Sequence, residues 1–281
     1  MLKKALFTLS ALLLMNALPM QAANVKSGET IAFLGDSITQ QGHTFPAGYV
    51  NLVMLGLKVN GINANMVKAG ISGHKSNNML ARLERDVISK KPQIMTLSCG
   101  VNDVWHGARG VKLEDYKKNI REIVEKAQAA GIRVYIMTST MIYENPNHEG
   151  NQKLAAYNQF LRELAAEKNL PLIDLNAAMQ KAVAEMKAKY PGVNGNFLTT
   201  DGVHMAPRGN MMMAKEILKA FRLNDVEIAK AEAEWMKRHW HVREVGVNYT
   251  VKDYLRLEES LWRQKKTIKR YLDEKLRELL K

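Results

Sequence analysis

Cysteine is almost missing from this chain: Cys99 is the only one in 281 residues. That excludes an intrachain disulfide, zinc sites built on paired cysteines, and a lipid-bearing cysteine behind an N-terminal leader. Cys99 lies in an apolar stretch and reads as core. An apolar run of the roughly 20 residues that cross a bilayer is missing as well. The N-terminal stretch Ala5–Leu18 is shorter and is broken by Thr8, Ser10 and Asn16. There is no phosphate-binding Gly-x-x-x-x-Gly-Lys-Ser/Thr loop, no zinc spacing and no RNA-binding signature, so no metal, cofactor or nucleic acid is expected. Internal repeats and low-complexity tracts are also lacking. Acidic residues are outnumbered: 28 Asp and Glu face 41 Lys and Arg, for a net charge of +13. The excess suits an anionic partner, such as acidic polysaccharide or lipid headgroups, or is a solvated basic face.

The N-terminus has a readable order. Lys3 and Lys4 precede the apolar stretch, Pro19 follows it, and small residues stand at Ala22 and Ala23. Charge, short apolar core and small residues in that order predict a signal peptide over residues 1–23 and a periplasmic or secreted protein.

From Glu29 to about Phe221, short apolar runs alternate with helical stretches. Ile31–Leu34, Asn65–Lys68, Ile94–Ser98, Val134–Thr138 and Pro171–Asp174 read as strands. Leu113, Tyr116, Ile120, Ile123, Val124 and Ala127 mark one helix face, and Leu154, Tyr157, Leu161 and Leu164 another. Apolar strands alternating with helices predict a parallel sheet covered on both faces, here a five-stranded, flavodoxin-like α/β/α sandwich. We assign residues 24–224 to this domain. Residues 225–281 are rich in Glu, Lys, Arg and Leu, and no strand is expected there. Val226, Ala229, Ala233, Met236 and Trp240 form one helical stripe. Tyr254, Leu257, Leu261, Ile268, Leu272, Leu276 and Leu279 form another. The reading is a C-terminal helical arm that rests on the body or meets an anionic surface or another copy. His239 and His241, two apart on such a helix, would face different ways and hold no metal.

Four segments carry chemistry. Gly35-Asp36-Ser37-Ile38 follows the first strand, which puts a hydroxyl on a tight turn where open α/β sheets work. A serine needs a base, and the base an orienting acid. Asp201-Gly202-Val203-His204 supplies both within one turn. Acyl transfer also needs donors for the oxyanion. Gly100-Val101-Asn102-Asp103 follows the third strand and offers an amide, and Gly70-Ile71-Ser72-Gly73 follows the second and offers a backbone N–H. Trp105, His106 and Tyr143 are candidate substrate contacts near the same edge. The polar stretch Tyr143–Gly150 is a candidate for selectivity.

In their order and distances these four segments resemble the sequence blocks of the SGNH hydrolases, the GDSL esterase/lipase superfamily, over roughly Glu29 to Phe221. The resemblance implies Ser37 as nucleophile, His204 as general base and acid, and Asp201 as its orienting acid. It also implies an oxyanion hole of the Ser37 N–H, Gly73 and Asn102. The expectation is an exported serine esterase for short acyl groups, acetyl foremost, on carbohydrate, acting through an acyl-serine intermediate. A lipid esterase, lysophospholipase or thioesterase is the alternative, as is a non-catalytic carbohydrate-binding or surface protein on the same fold.

Overall fold

The computed structural model describes residues 24–242 and 246–279; the signal peptide expected over 1–23 lies outside them. Five strands form one parallel sheet: β1 (Thr30–Gly35), β2 (Asn65–Gly70), β3 (Ile94–Ser98), β4 (Arg133–Met137) and the two-residue β5 (Leu172–Ile173), in the order β2-β1-β3-β4-β5. Each expected strand is found within two residues of its expected ends. β1 and β3 are buried from Ile31 to Gly35 and from Ile94 to Ser98, because helices cover both faces.

The helices of the body are α1 (Ser37–Thr44), α2 (Tyr49–Val59), α3 (Ser76–Asp86), α4 (Val101–Trp105), α5 (Leu113–Ala129), α6 (Glu149–Glu167), α7 (Leu175–Lys189) and α8 (Pro207–Ala220). α9 (Asp225–Trp235) follows directly. α2, α8 and α9 pack together, as do α3, α5 and α6, giving the two outer layers. The expected α5 face is the buried one, with Tyr116, Ile120, Ile123, Val124 and Ala127 inside. The chain passes from β1 to β2 on one side, then crosses back to β3 on the other. That reversal opens a crevice between the C-terminal ends of β1 and β3, the place where sheets of this kind bind ligands.

The segment beyond Phe221 departs from expectation. Strands are present: β6 (His239–Val242) and β7 (Val247–Thr250) form an antiparallel hairpin. Trp240 therefore belongs to a strand, not to a helical stripe. α9 buries Ile228, Ala231 and Trp235, while Val226 is 80% exposed. The helix is turned from the expected face because Trp235 fills the main core and donates its indole N–H to the Leu52 carbonyl at 2.9 Å. After the hairpin come α10 (Val251–Arg263) and α11 (Ile268–Leu279). α10 buries Tyr254 and Leu261 as expected, together with Leu255 and Trp262. α11 buries no residue among those described, and Leu276 and Leu279 of the expected stripe are exposed.

Candidate active site

Asp36 follows β1, and its Oδ1 accepts the Ile38 N–H at 2.9 Å, capping α1. Ser37 is thereby the first helical residue, with its hydroxyl at the positive end of the helix. The turn is anchored from below. Arg82, on the inner face of α3 and only 4% exposed, donates to the Gly35 carbonyl at 2.9 Å, to Asp86 at 3.1 Å and to His74 Nδ1 at 3.0 Å.

Asp201 and His204 sit on a loop closed on itself. Thr199 bridges Met205, and the Thr200 N–H reaches the His204 carbonyl at 2.8 Å. Asp201 Oδ1 accepts the backbone N–H groups of Val203 and His204 at 3.0 and 2.8 Å, while its Oδ2 meets His204 Nδ1 at 2.6 Å. The other ring nitrogen, Nε2, lies 2.9 Å from Ser37 Oγ. The three side chains, 167 positions apart at the extremes, therefore form one continuous hydrogen-bonded row. Burial alone would raise the Asp201 carboxyl. The hydrogen bonds from the His204 ring and from the two backbone N–H groups outweigh it and hold the pKa at about 2. The aspartate thus stays charged and fixes the imidazole's orientation.

The loop has a support with no signal in the sequence. Tyr143 and Glu144 both adopt left-handed backbone, with φ of 58° and 48°. This pair of unusual residues turns the buried Glu144 carboxylate under the segment that leads into the Asp201–His204 loop. Its Oε1 accepts from Leu198 N at 2.8 Å, Thr199 N at 2.7 Å and Thr199 Oγ1 at 2.6 Å, and its Oε2 from Phe197 N at 2.8 Å. Tyr143 N also donates to the Gly202 carbonyl at 2.7 Å.

The expected oxyanion donors converge on the same edge. Asn102 is buried at the start of α4, and its Nδ2 donates to the His74 carbonyl at 3.1 Å, which fixes the amide plane. That carbonyl belongs to the residue after Gly73, so the two expected donors are tied together. Gly73 has φ of +75°, a conformation that a side chain would strain. Asp103 holds α3 against α4 by accepting from Ser76 N at 3.0 Å and Ser76 Oγ at 2.6 Å. Burial pushes its carboxyl above the ordinary range, and pushes Asp36 up to about 6. Cys99 is buried, and burial raises its thiol pKa, so it is core as expected.

Trp105 and Tyr143 meet edge to face, with ring centroids 6.3 Å apart and an indole N–H to phenol oxygen distance of 3.1 Å. Both are large exposed apolar surfaces, 39% and 41%. His106 lies beside Trp105, and burial lowers its pKa ahead of the nearby Lys75 and Arg109. A cavity of about 550 Å³ borders Asp201 and His204. Its lining includes none of Ser37, Gly73, Asn102, Trp105, His106 and Tyr143. This hollow thus adjoins Asp201 and His204, not Ser37.

This arrangement suits acyl transfer, and comparison with known proteins agrees. The chain is 28% identical over 214 residues to an acetylxylan esterase of Geobacillus stearothermophilus, covering 69% of this chain and 94% of that one. It is 29% identical over 199 residues to esterase TesA of Pseudomonas aeruginosa, with 70% and 88% covered. Among solved structures, the acetyl xylan esterase AlAXEase superimposes with a TM-score of 0.62 at 32% identity, over 68% of this chain and 98% of that one. The Geobacillus enzyme, Axe2, has been solved as catalytic mutants lacking a serine, an aspartate or a histidine. Its aspartate precedes its histidine by three positions, as Asp201 precedes His204. The profile of the GDSL-like Lipase/Acylhydrolase family matches residues 33–211. With that match spanning both the Ser37 turn and the Asp201–His204 loop, the chain belongs to this family, within the SGNH hydrolases, and is a carboxylic ester hydrolase.

Proposed function

We propose that this enzyme removes short acyl groups, acetyl foremost, from the hydroxyls of a carbohydrate. The observation that carries the reaction is the 2.9 Å approach of His204 Nε2 to Ser37 Oγ, continued by the 2.6 Å contact to Asp201. In this reading His204 takes the Ser37 proton as Oγ attacks the ester carbonyl. The carbonyl oxygen gains charge and is received by the N–H groups of Ser37 and Gly73 and by the Asn102 amide. His204 then returns the proton to the departing sugar oxygen, which leaves an acyl-serine. Water attacks that ester, again giving its proton to His204, and the carboxylic acid leaves as Ser37 regains its hydrogen.

Two of the similar proteins are esterases of acetylated xylan, which supports the choice of substrate. The polar residues His74, Asn77, His106, Asn145 and Asn147, in the segments that follow β2, β3 and β4, support it too, because such side chains hydrogen-bond hydroxyls and gain little from added methylenes. The N-terminal order of charge, apolar core and small residues supports export to the periplasm or beyond, where such a substrate is met. The test is hydrolysis of nitrophenyl acetate, butyrate, octanoate and palmitate beside acetylated xylo-oligosaccharide. kcat/KM should fall steeply from acetyl to octanoyl, and acetate should be released from the sugar. A steady rise toward octanoyl would replace this reading with a lipid esterase.

A further inference from the structure

The cavity beside Asp201 and His204 has two builders. The body contributes Phe45 and Asn196 among others, and the segment from β6 to the start of α11 contributes His239, Trp240, His241, Tyr254 and Lys269. We propose that this C-terminal segment completes a leaving-group subsite that binds the sugar portion of the ester; the inference rests on the carbohydrate reading above.

The chemistry of the triad fixes which part of the substrate belongs there. The acyl carbon must sit between Ser37 Oγ and the oxyanion donors. The alcohol oxygen must sit against His204 Nε2, from which it takes its proton. A hollow that borders His204 and Asp201 but not the oxyanion donors therefore lies on the alcohol side. Its volume is within the ordinary range for a small-molecule site.

The lining suits a sugar. Trp240, which meets Phe45 edge to face at 5.7 Å and lies 6.4 Å from Tyr254, is largely buried with Tyr254, and the three rings border the cavity with aromatic edges that sugar C–H groups can meet. Because β6 is a strand, His239 and His241 lie on one face, not on different faces as a helix would place them. Both are exposed, and the Nδ1 of His241 is held by Asn248 Oδ1 at 3.0 Å. The same cavity is lined by Glu258, 7% exposed, whose Oε1 accepts the Tyr254 hydroxyl at 2.8 Å and whose Oε2 has no hydrogen-bond partner. Burial pushes this carboxyl up to about 8, so at neutral pH it is largely a neutral hydrogen-bonding group in the wall. AlAXEase is 98% covered by 68% of this chain, and Axe2 97% covered by 72%, so more than a quarter of this chain has no counterpart in them.

The experiment uses the full chain and two substrates, nitrophenyl acetate and acetylated xylo-oligosaccharide. The readout is the ratio of kcat/KM for the sugar ester to that for nitrophenyl acetate, in the parent and in the double variant His239→Ala/His241→Ala. Removing contacts made only by the sugar should lower the ratio by roughly tenfold or more. Unacetylated xylo-oligosaccharide should inhibit nitrophenyl acetate hydrolysis competitively in the parent, with an inhibition constant raised by a similar factor in the variant. Trp240→Ala should do the same, but Trp240 also fills the small core of the hairpin, so the exposed histidines decide. A ratio and an inhibition constant both within about twofold of the parent's, in a parent that cleaves the sugar ester, would overturn the subsite and leave the esterase reading intact. A parent that cleaves nitrophenyl acetate and no acetylated sugar would instead remove the carbohydrate reading, and this inference with it.

Discussion

The body of the enzyme and its C-terminal segment are built on opposite principles. In the body, three candidate catalytic groups follow the C-terminal ends of sheet strands, Ser37 after β1, Gly73 after β2 and Asn102 after β3, while Asp201 and His204 sit on a loop closed on itself. Buried charged side chains then lock these positions, Arg82 under Gly35 at the end of β1 and Glu144 under Thr199 before the Asp201–His204 loop. The C-terminal segment is a thin wrap. α9 and, through Trp262, the end of α10 enter the main core, but β6, β7 and the start of α10 share a small separate core in which Trp240, Val251, Tyr254 and Leu255 pack on Ala47. The body fixes the reacting atoms, and the wrap shapes what lies beside His204. Changes in the body should therefore act on kcat for every ester, and changes in the wrap on the choice among esters.

The largest effect tests the body. Ser37→Ala should lower kcat by several orders of magnitude on nitrophenyl acetate and on acetylated sugar alike, with the folded spectrum kept. A loss of only about tenfold on either would break the assignment, since that is worth merely about 1.4 kcal/mol. Asn102→Ala comes next. It should lower kcat by roughly 10²–10³-fold with KM nearly unchanged, because an oxyanion donor acts in the transition state. If KM rose instead, Asn102 would be holding ground-state substrate.

How far each region was readable follows from the same contrast. In the body β1 beyond Thr30, β3, and β4 beyond Arg133 are buried, so they appear as apolar runs between helices. β2, at the sheet edge, is exposed at Asn65 and Lys68, and the ends of all five strands are legible to within two residues. Ser37, Asn102, Asp201 and His204 were visible because each sits in a short local motif. Glu144 and Arg82 were not, since their partners lie at distant positions, 53 to 55 residues away for Glu144 and 47 for Gly35. No local spacing reports a carboxylate whose work is to satisfy N–H groups so far along the chain. In the C-terminal segment the misreading came from periodicity. Met236 and Trp240 are four apart and fit a helix, yet His-Trp-His-Val and Val-Asn-Tyr-Thr flank Gly246, which has φ of +65°, and alternate as a hairpin does. In α9 the burial of Ile228, Ala231 and Trp235 selects another face than the stripe read in the sequence and leaves Val226 in water.

Glu144 sharpens the comparison at intermediate size. Glu144→Ala would leave three backbone N–H groups and the Thr199 hydroxyl buried without an acceptor. Unpaired buried donors cost about 1–3 kcal/mol each, so thermal unfolding should register a loss of at least about 3 kcal/mol. The Asp201–His204 loop should loosen with it, and kcat should fall by roughly tenfold on both substrates while KM moves little. An effect confined to the sugar ester would make Glu144 part of the wrap's work, not the body's.

The smallest effect belongs to the wrap and appears only against pH. Glu258 sits on α10 inside the cavity wall, where burial raises its carboxyl from the ordinary range to about 8; the Tyr254 hydroxyl and Arg208 pull it down, and Glu144 and Glu259 push it up. The folded protein thus keeps this proton over a range in which the unfolded chain has already released it. Where the folded state binds more protons, stability falls as pH rises. The contribution is complete below the unfolded value of about 4.5 and is lost progressively up to about 8. Each tenfold excess in the folded carboxyl's proton affinity is worth about 1.4 kcal/mol, so the parent should lose at least that much stability between pH 5 and pH 8. Glu258→Gln keeps the shape and a hydrogen-bonding oxygen for Tyr254 but cannot ionise, so it should flatten that decline. Denaturant unfolding at both pH values measures the difference. An equal decline in parent and variant would show that Glu258 ionises freely in the folded wall, and that the wrap is open to water there.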